Sequence, residues 1–587
     1  MCLGVNNITE SDNTCKLLLS GSVTLIAACG GGGSGGSAAP NTAPDSNPSV
    51  IPLTAAEIKS QEYAAARFLL HAQFSSTDAD IAAVRLNGAD AWLNQQMGMP
   101  SSESAWDWLT AQGYSAIDSN NNYNNSNQAN YMAWHQIMAA PDGVRQRIAL
   151  ALSEFFVVSI SGIQLNWPQF AMAAYWDVLT KNAFGNYRNL LEDVTLNLAM
   201  GEFLNTRNNQ KEDPVSGRQP DENYAREVMQ LFTIGLVRLN ADGTPVFDAN
   251  GQQAESYTQS DVSNLARVFT GYQSDDTEGF ATLTGTSNRI RNVGYARRPM
   301  VLNANRHSTL EANFLGTSIA AGTGGSTALR IGLDTLFNHP NVGPFFGRQM
   351  IQRLVSSNPS PAYIARVANV FNDNGSGVRG DLRAVFRAIL LDEEANSETG
   401  LTSISFGKLR EPIVRIAQWA RTFDVQSTSG TWRMGNLSAL NLLSQSPLQA
   451  ASVFNFFRPG YVPPNTALAL MGATAPEFQI VNETSVPSYI NYLEGILARG
   501  ITVGGLGFDI APGYLNEMAL VGNAAGLVER LNKLLTGGQL SPATIDLIVN
   551  ALTLDNSTTS SANQTQRNYI AKSIMFVMSS PEYLVQK

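Results

Sequence analysis

Val144-Arg145-Gln146-Arg147-Ile148-Ala149-Leu150-Ala151-Leu152-Ser153-Glu154-Phe155-Phe156 is the stretch that decides the fold class. Val144, Ile148, Leu152 and Phe155 recur at intervals of three and four, which sets them on one face of an α-helix expected over 142–159. The same period runs outward through most of the chain. Upstream, Thr54 precedes a helix through Ile58 and Tyr63 to about Leu70, and Thr77 opens a second with Ile81, Val84 and Leu93 apolar. Downstream, helices are expected at 168–181 and at 186–204, where Tyr187, Leu190, Leu191, Val194 and Leu198 form one stripe. Others are expected at 131–139, 221–235, 258–270, 328–338, 343–356, 361–373, 379–392, 405–421, 522–535, 541–552 and 563–579.

Two textures interrupt this pattern. Val237-Arg238-Leu239 and Pro245-Val246-Phe247 flank Asp242-Gly243 and read as a β-hairpin. Residues 274–330 are Gly/Thr-rich with few helical stripes, and Gly504 to Tyr514 reads as a Gly-rich loop. The expected architecture is mainly α, a large multi-helix globular unit with a small β-hairpin and an irregular insert. Its body spans 54–587, with lobes 54–235 and 331–587 around the insert 236–330.

Composition sets outer limits. Of 587 residues, 44% are hydrophobic and 15% charged, which excludes wholesale disorder. With 38 Lys+Arg against 48 Asp+Glu the chain carries −10, which argues against a nucleic-acid binder. The three cysteines, Cys2, Cys15 and Cys29, all fall in the first thirty residues. A body cut free of that segment has no disulfide, thiolate nucleophile or Cys metal ligand.

The N-terminus reads as an address. Lys16, an apolar run from Leu17 to Ala28, and Ile26-Ala27-Ala28-Cys29 have the parts of a lipoprotein signal over 1–28, with Cys29 the lipidated residue. The run is too short to span a bilayer, which takes about 20 residues. A plain secretory signal cut nearby, or a short buried core segment, is the alternative. Residues 29–53 follow as a flexible Gly/Ser/Pro tether. The expected location is the bacterial cell envelope: an outer-membrane lipoprotein or surface protein, otherwise periplasmic or secreted.

The densest motif is Gln219-Pro220-Asp221-Glu222-Asn223-Tyr224-Ala225-Arg226-Glu227-Val228-Met229-Gln230-Leu231-Phe232-Thr233. Asn223, Arg226, Glu227 and Gln230 fall at i, i+3, i+4 and i+7, a narrow polar line on an otherwise apolar helix. Such a line must find partners, because a lone buried Arg or Glu is very costly. One reading is a site in which Glu227 and Glu222 supply acid–base chemistry and Asn223 and Arg226 bind substrate. The other is an interlocking salt-bridge network that orders the core. In the next helix, Thr258 and Asp261 are spaced as a capping box, and Asp261 is a cap or a substrate-binding residue. Arg267 is placed near the same centre. His307, in Asn305-Arg306-His307-Ser308 of the irregular insert, is a candidate general base or a hydrogen-bonded structural residue. The four histidines form no HxxH or HxxxH pair, so neither a metal site nor a cofactor is expected.

Several ordered segments carry a resemblance. Arg67-Phe68-Leu69-Leu70-His71-Ala72-Gln73-Phe74, Val144 through Ser159, and Ala183-Phe184-Gly185-Asn186-Tyr187 open the series. Glu222 through Glu227, Tyr257-Thr258 with Asp261-Val262, and Ala266-Arg267-Val268-Phe269-Thr270-Gly271-Tyr272 continue it. His307, Phe314-Leu315-Gly316, His339-Pro340, Lys408 with Pro412, and Pro447 through Tyr461 complete it. In this order they resemble the bacterial DUF1800 family over roughly 60–585. The resemblance implies a large, mostly helical, exported protein of unknown function. It also implies a possible partner in a second exported family, DUF1501, whose genes often sit beside its own. The chain departs from the family at Gln230, where many members carry Glu, and at Phe454 through Tyr461, which replaces a Gly-Trp-Pro-Gly type of segment.

Two functions remain open at this level. One is a surface scaffold or binding partner for a neighbouring exported enzyme, consistent with the missing nucleophile elbow, zinc motif and cofactor fingerprint. The other is a hydrolase or lyase on an extracellular polysaccharide, using carboxylate acid–base chemistry, with Trp92, Trp106, Trp108, Trp134 and Trp167 as sugar-stacking surfaces.

Overall fold

The computed structural model describes residues 53–118, 121–555 and 562–587. The signal segment, Cys29 and the tether up to residue 52 lie outside the described residues. Thr54 begins the body with a capping box. Its hydroxyl accepts from the Glu57 amide at 3.2 Å, Glu57 Oε2 accepts from the Thr54 amide at 2.7 Å, and the helix Ala55–Ala72 follows.

The protein is mainly α. Strands among the described residues are two to five residues long and form only two- and three-stranded sheets. The helix Gly143–Phe155 runs through the middle, and of its residues only Arg145 is not buried. It packs against Asn127–Ala139, Pro168–Asn182 and Val342–Leu354. A helix apolar on one face alone would float on the surface; this one is enclosed, so Arg147 and Glu154 are enclosed with it. Residues 54–235 and 331–587 share a single hydrophobic core. Asn127–Ala139 packs on Pro412–Thr422, and Ala55–Ala72 packs on the turn Asn532–Thr536. Near the C-terminus, Val585–Gln586 pairs antiparallel with Lys408–Leu409.

Where elements differ from expectation, the cause is local. The 186–204 helix breaks into Tyr187–Thr195 and Leu198–Phe203 because Asn197 Oδ1 accepts from the Ala199 and Met200 amides and restarts the helix. The 405–421 helix starts only at Pro412, since proline is suited to a first helical turn and biases the residue before it away from helical geometry. Asn223–Glu227 is α-helical, but Val228–Thr233 is a π turn, with the Ile234 amide bonded to Met229 O at 2.9 Å. The Asp242-Gly243 hairpin forms as isolated bridges, Leu239 opposite Pro245, because proline has no N–H to extend the ladder. Finally, 504–514 is not a plain loop: Gly507–Ala511 pairs with Ile501–Val503, and glycines at positive φ (Gly505, Gly507) turn the chain.

All five tryptophans considered as sugar platforms are buried in the core. Trp106 meets Phe170 edge to face at 4.7 Å, Trp167 donates to Arg291 O at 2.8 Å, and Trp108 stacks on His135 at 4.8 Å. None of them is a surface on which a sugar can lie.

Candidate functional site

The residues singled out from sequence occupy three neighbouring places. Glu222 sits at the N-cap position of the Asn223–Glu227 helix and faces the helix Gln259–Val268. Its carboxylate pairs with Arg226 at 3.1 Å and accepts from Gln259 Nε2 at 2.8 Å and Ser263 Oγ at 2.5 Å. Arg226 also donates to Gln259 Oε1 at 3.1 Å. Partial burial opposes ionisation of Glu222, but Ser263, Gln259 and Arg226 together outweigh it and hold the group below the usual carboxylate range. Asn223 donates its amide to Asp221 Oδ1 at 2.8 Å, within the entry turn.

Glu227 lies one turn on and is 7% exposed. Its Oε2 has no hydrogen-bond partner. Burial pushes its pKa up, with Arg226 offsetting part of the rise. Two carboxylates five residues apart are thus driven in opposite directions, Glu222 toward the anion and Glu227 toward the acid. The polar line does not continue to Gln230 as expected, because the π turn changes the register after Glu227; Gln230 accepts from Tyr257 instead, at 3.3 Å.

Asp261 and Arg267 fasten their helix to the small hairpin of Ala312–Phe314 and Thr317–Ile319. Asp261 closes the capping box with Thr258 and accepts the Leu315 amide at 2.7 Å. Burial works against its charge, and those hydrogen bonds, Leu315 first, keep it below the usual range. Arg267 donates to Asn264 Oδ1 at 3.0 Å and to Glu311 O. His307 occupies a third place, buried, with Nδ1 3.0 Å from Thr270 O. The backbone there is tight: at Gly271, with φ +89°, a Cβ would stand 2.8 Å from Asn303 O and 3.0 Å from His307 N. None of the seven residues lines any of the five cavities described for the molecule.

A denser set of charges was not selected from sequence. Lys408, Glu411, Glu477, Glu154, Arg147 and Arg353 are all buried. Lys408 Nζ donates to Glu411 Oε1 at 3.1 Å and Arg353 O at 2.8 Å, and lies 3.5 Å from Glu477 Oε1. Gln445 donates to Glu411 at 2.7 Å, Ser357 donates to Glu477 at 2.7 Å, and Arg147 donates to Arg353 O at 2.6 Å. Burial and the adjoining Glu411 carboxylate raise Glu154, whereas Lys408, Glu154 and Arg147 overcome burial to hold Glu411 low. Beside Glu154 lies a cavity of about 10 Å³, lined also by Ser153 and Asn455, with room for about one water. Lys408, Arg147 and Glu154 stand in segments that carry the resemblance, but no spacing rule joins segments this far apart in the chain.

The largest of the five cavities is elsewhere. An open groove of about 1160 Å³ runs from the Asp242-Gly243 hairpin tip past Arg348 to Ser360, Arg366 and Glu394. Arg366 is committed to Asp392 by a bidentate pair at 2.8 and 2.7 Å. The Arg348 side chain has no hydrogen bond or ion pair among the described residues, and burial alone lowers its pKa. Among the described residues no group of three or more His, Cys, Asp or Glu is placed to hold a metal ion.

Residues 67–585 match the family described as Protein of unknown function (DUF1800), and the chain belongs to that family. No curated protein and no solved structure matches it.

Proposed function

We propose that this chain is an exported, lipid-anchored envelope protein that acts by binding, and that its groove around Arg348 receives an acidic segment of a neighbouring exported protein of the DUF1501 type. The observation that carries this reading is Arg348, a half-buried guanidinium with no partner among the described residues, in the largest of the five cavities. A desolvated cation without a counter-charge has binding energy to offer an incoming carboxylate, and its planar fork suits one. Glu154, an enclosed carboxylate raised by burial, has beside it space for only about one water, which leaves no room there for a polymer substrate. The test is the affinity of the full chain for the DUF1501-type protein encoded beside it, measured by biolayer interferometry. Arg348→Glu is expected to weaken the complex at least tenfold. A complex indifferent to that change removes the groove, and absence of a complex removes the partner.

The opposed shifts of Glu222 and Glu227 support a second reading, a hydrolase or lyase acting on an extracellular polysaccharide. Glu227 would then be the acid and Glu222 the ionised partner, with Arg226 orienting substrate. Glu227→Gln is expected to abolish polysaccharide cleavage while the circular dichroism spectrum and melting temperature hold. Cleavage that survives the substitution sinks this reading.

A further inference from the structure

We infer that the protein has a binding site for a single-chain anionic amphiphile, an apolar chain ending in a carboxylate, in the cavity between the start of the Pro412–Thr422 helix and the helix Ser485–Leu497. This site is separate from the groove proposed above. The cavity is about 260 Å³, near the lower end for ligand pockets, a size for one short acyl chain and not for a two-chain lipid. Leu443, Phe478, Ile490 and Leu584 wall it, and Val481 and Val486 line it while 39% and 56% exposed, which places them at its mouth.

Two arginines line the same cavity. Arg410 is fully buried; it donates to Leu535 O at 3.0 Å and Tyr583 O at 2.8 Å, but its Nη2 has no partner. Arg415 donates through Nε to Arg410 O at 2.7 Å and lies over the Tyr489 ring at 4.6 Å. Neither arginine has a carboxylate within ion-pair distance among the described residues. The one acid in the lining, Glu477, is engaged by Lys408 and Ser357. Two adjacent buried cations with no counter-ion are a costly arrangement. An anionic head group entering behind its apolar chain would neutralise it. Ser579, whose Oγ is buried without a partner, lines the cavity as a further donor to such a head.

The test uses the full chain carrying Cys29→Ser, so that no acyl group of its own competes, titrated by calorimetry with decanoate, decanol and decyltrimethylammonium. Decanoate is expected to bind saturably, decanol at least tenfold more weakly, and the cationic amphiphile not at all. Val486→Trp, at the exposed mouth, is expected to abolish decanoate binding without changing the fold. Arg415→Gln is expected to cut decanoate affinity at least tenfold and leave decanol unaffected. Equal binding of decanoate and decanol, absence of saturable binding, or binding unchanged in Val486→Trp would each overturn the assignment. The groove complex involving Arg348 is read separately and is unaffected by either result.

Discussion

At His71 the environment is almost wholly hostile to a proton. The ring is 1% exposed, neither nitrogen has a hydrogen-bond partner, and Arg410, Arg67, Arg147 and Lys408 contribute positive charge around it. Burial first, then those cations, push its pKa down to about 3. The unfolded chain takes up this proton below its ordinary value of 6.5 while the folded chain refuses it until about 3. Acid therefore stabilises the unfolded state through that window, and stability is lost as pH falls from 6.5. Between pH 7 and pH 4.5 the loss from this one group should be about 2–3 kcal/mol. Urea unfolding of the native chain and His71→Leu at both pH values isolates the term, and an equal pH dependence in the two would refute it. The run Arg67 to Phe74 displays the histidine in plain view. What it does not display is the company, since Lys408 and Arg410 arrive from more than three hundred residues away.

Among single elements, the helix Gln259–Val268 is the one whose sequence says most about its structure. Thr258 and Asp261 were spaced to cap it, and they do. Thr258→Ala should cost about 1 kcal/mol, the usual loss for an N-cap. Asp261→Ala should cost more, because it removes the reciprocal half of the box and also the acceptor for Leu315 at 2.7 Å, loosening the 312–319 hairpin. Urea midpoints of the two variants check the order, and a smaller loss for Asp261→Ala contradicts it. The Asn223–Thr233 segment shows the opposite case. Its polar line follows the 3.6 period only to Glu227, where a π turn takes over. That turn is held by contacts from other parts of the chain, such as the Tyr187 hydroxyl donating to Phe232 O. No local pattern announces it.

Across the whole molecule, the charges around Lys408 join segments that the sequence keeps apart. Lys408 lies between Glu411 and Glu477, while Arg147 and Arg353 bring in the two central helices. Lys408→Met would leave two carboxylates enclosed without their common cation, at a cost of about 3–5 kcal/mol. In that variant the folded state would hold protons on Glu411 and Glu477 above the pH at which the unfolded chain releases them. Its deficit should therefore be smaller at pH 5 than at pH 8. Denaturation at the two pH values measures this, and a deficit independent of pH would show that the carboxylates remain charged.

Taken alone, the sequence determined the helical class, the positions of most helices, the hairpin around Asp242-Gly243 and the membership of a family whose motifs run in order. These are properties of neighbours in the chain: apolar spacing, capping pairs and turn residues act over fewer than about ten positions. The enclosure of Gly143–Phe155, the burial of the five tryptophans, the opposed environments of Glu222 and Glu227, and the cavity beside Arg410 and Arg415 were decided only by the tertiary structure. Arg147 and Arg353 meet across 206 positions, and Gln352 reaches Pro459 across 107. Distances of that kind depend on how many helices pack at once. No period in the chain encodes them, because burial and electrostatic environment belong to the assembled core and not to any segment of it.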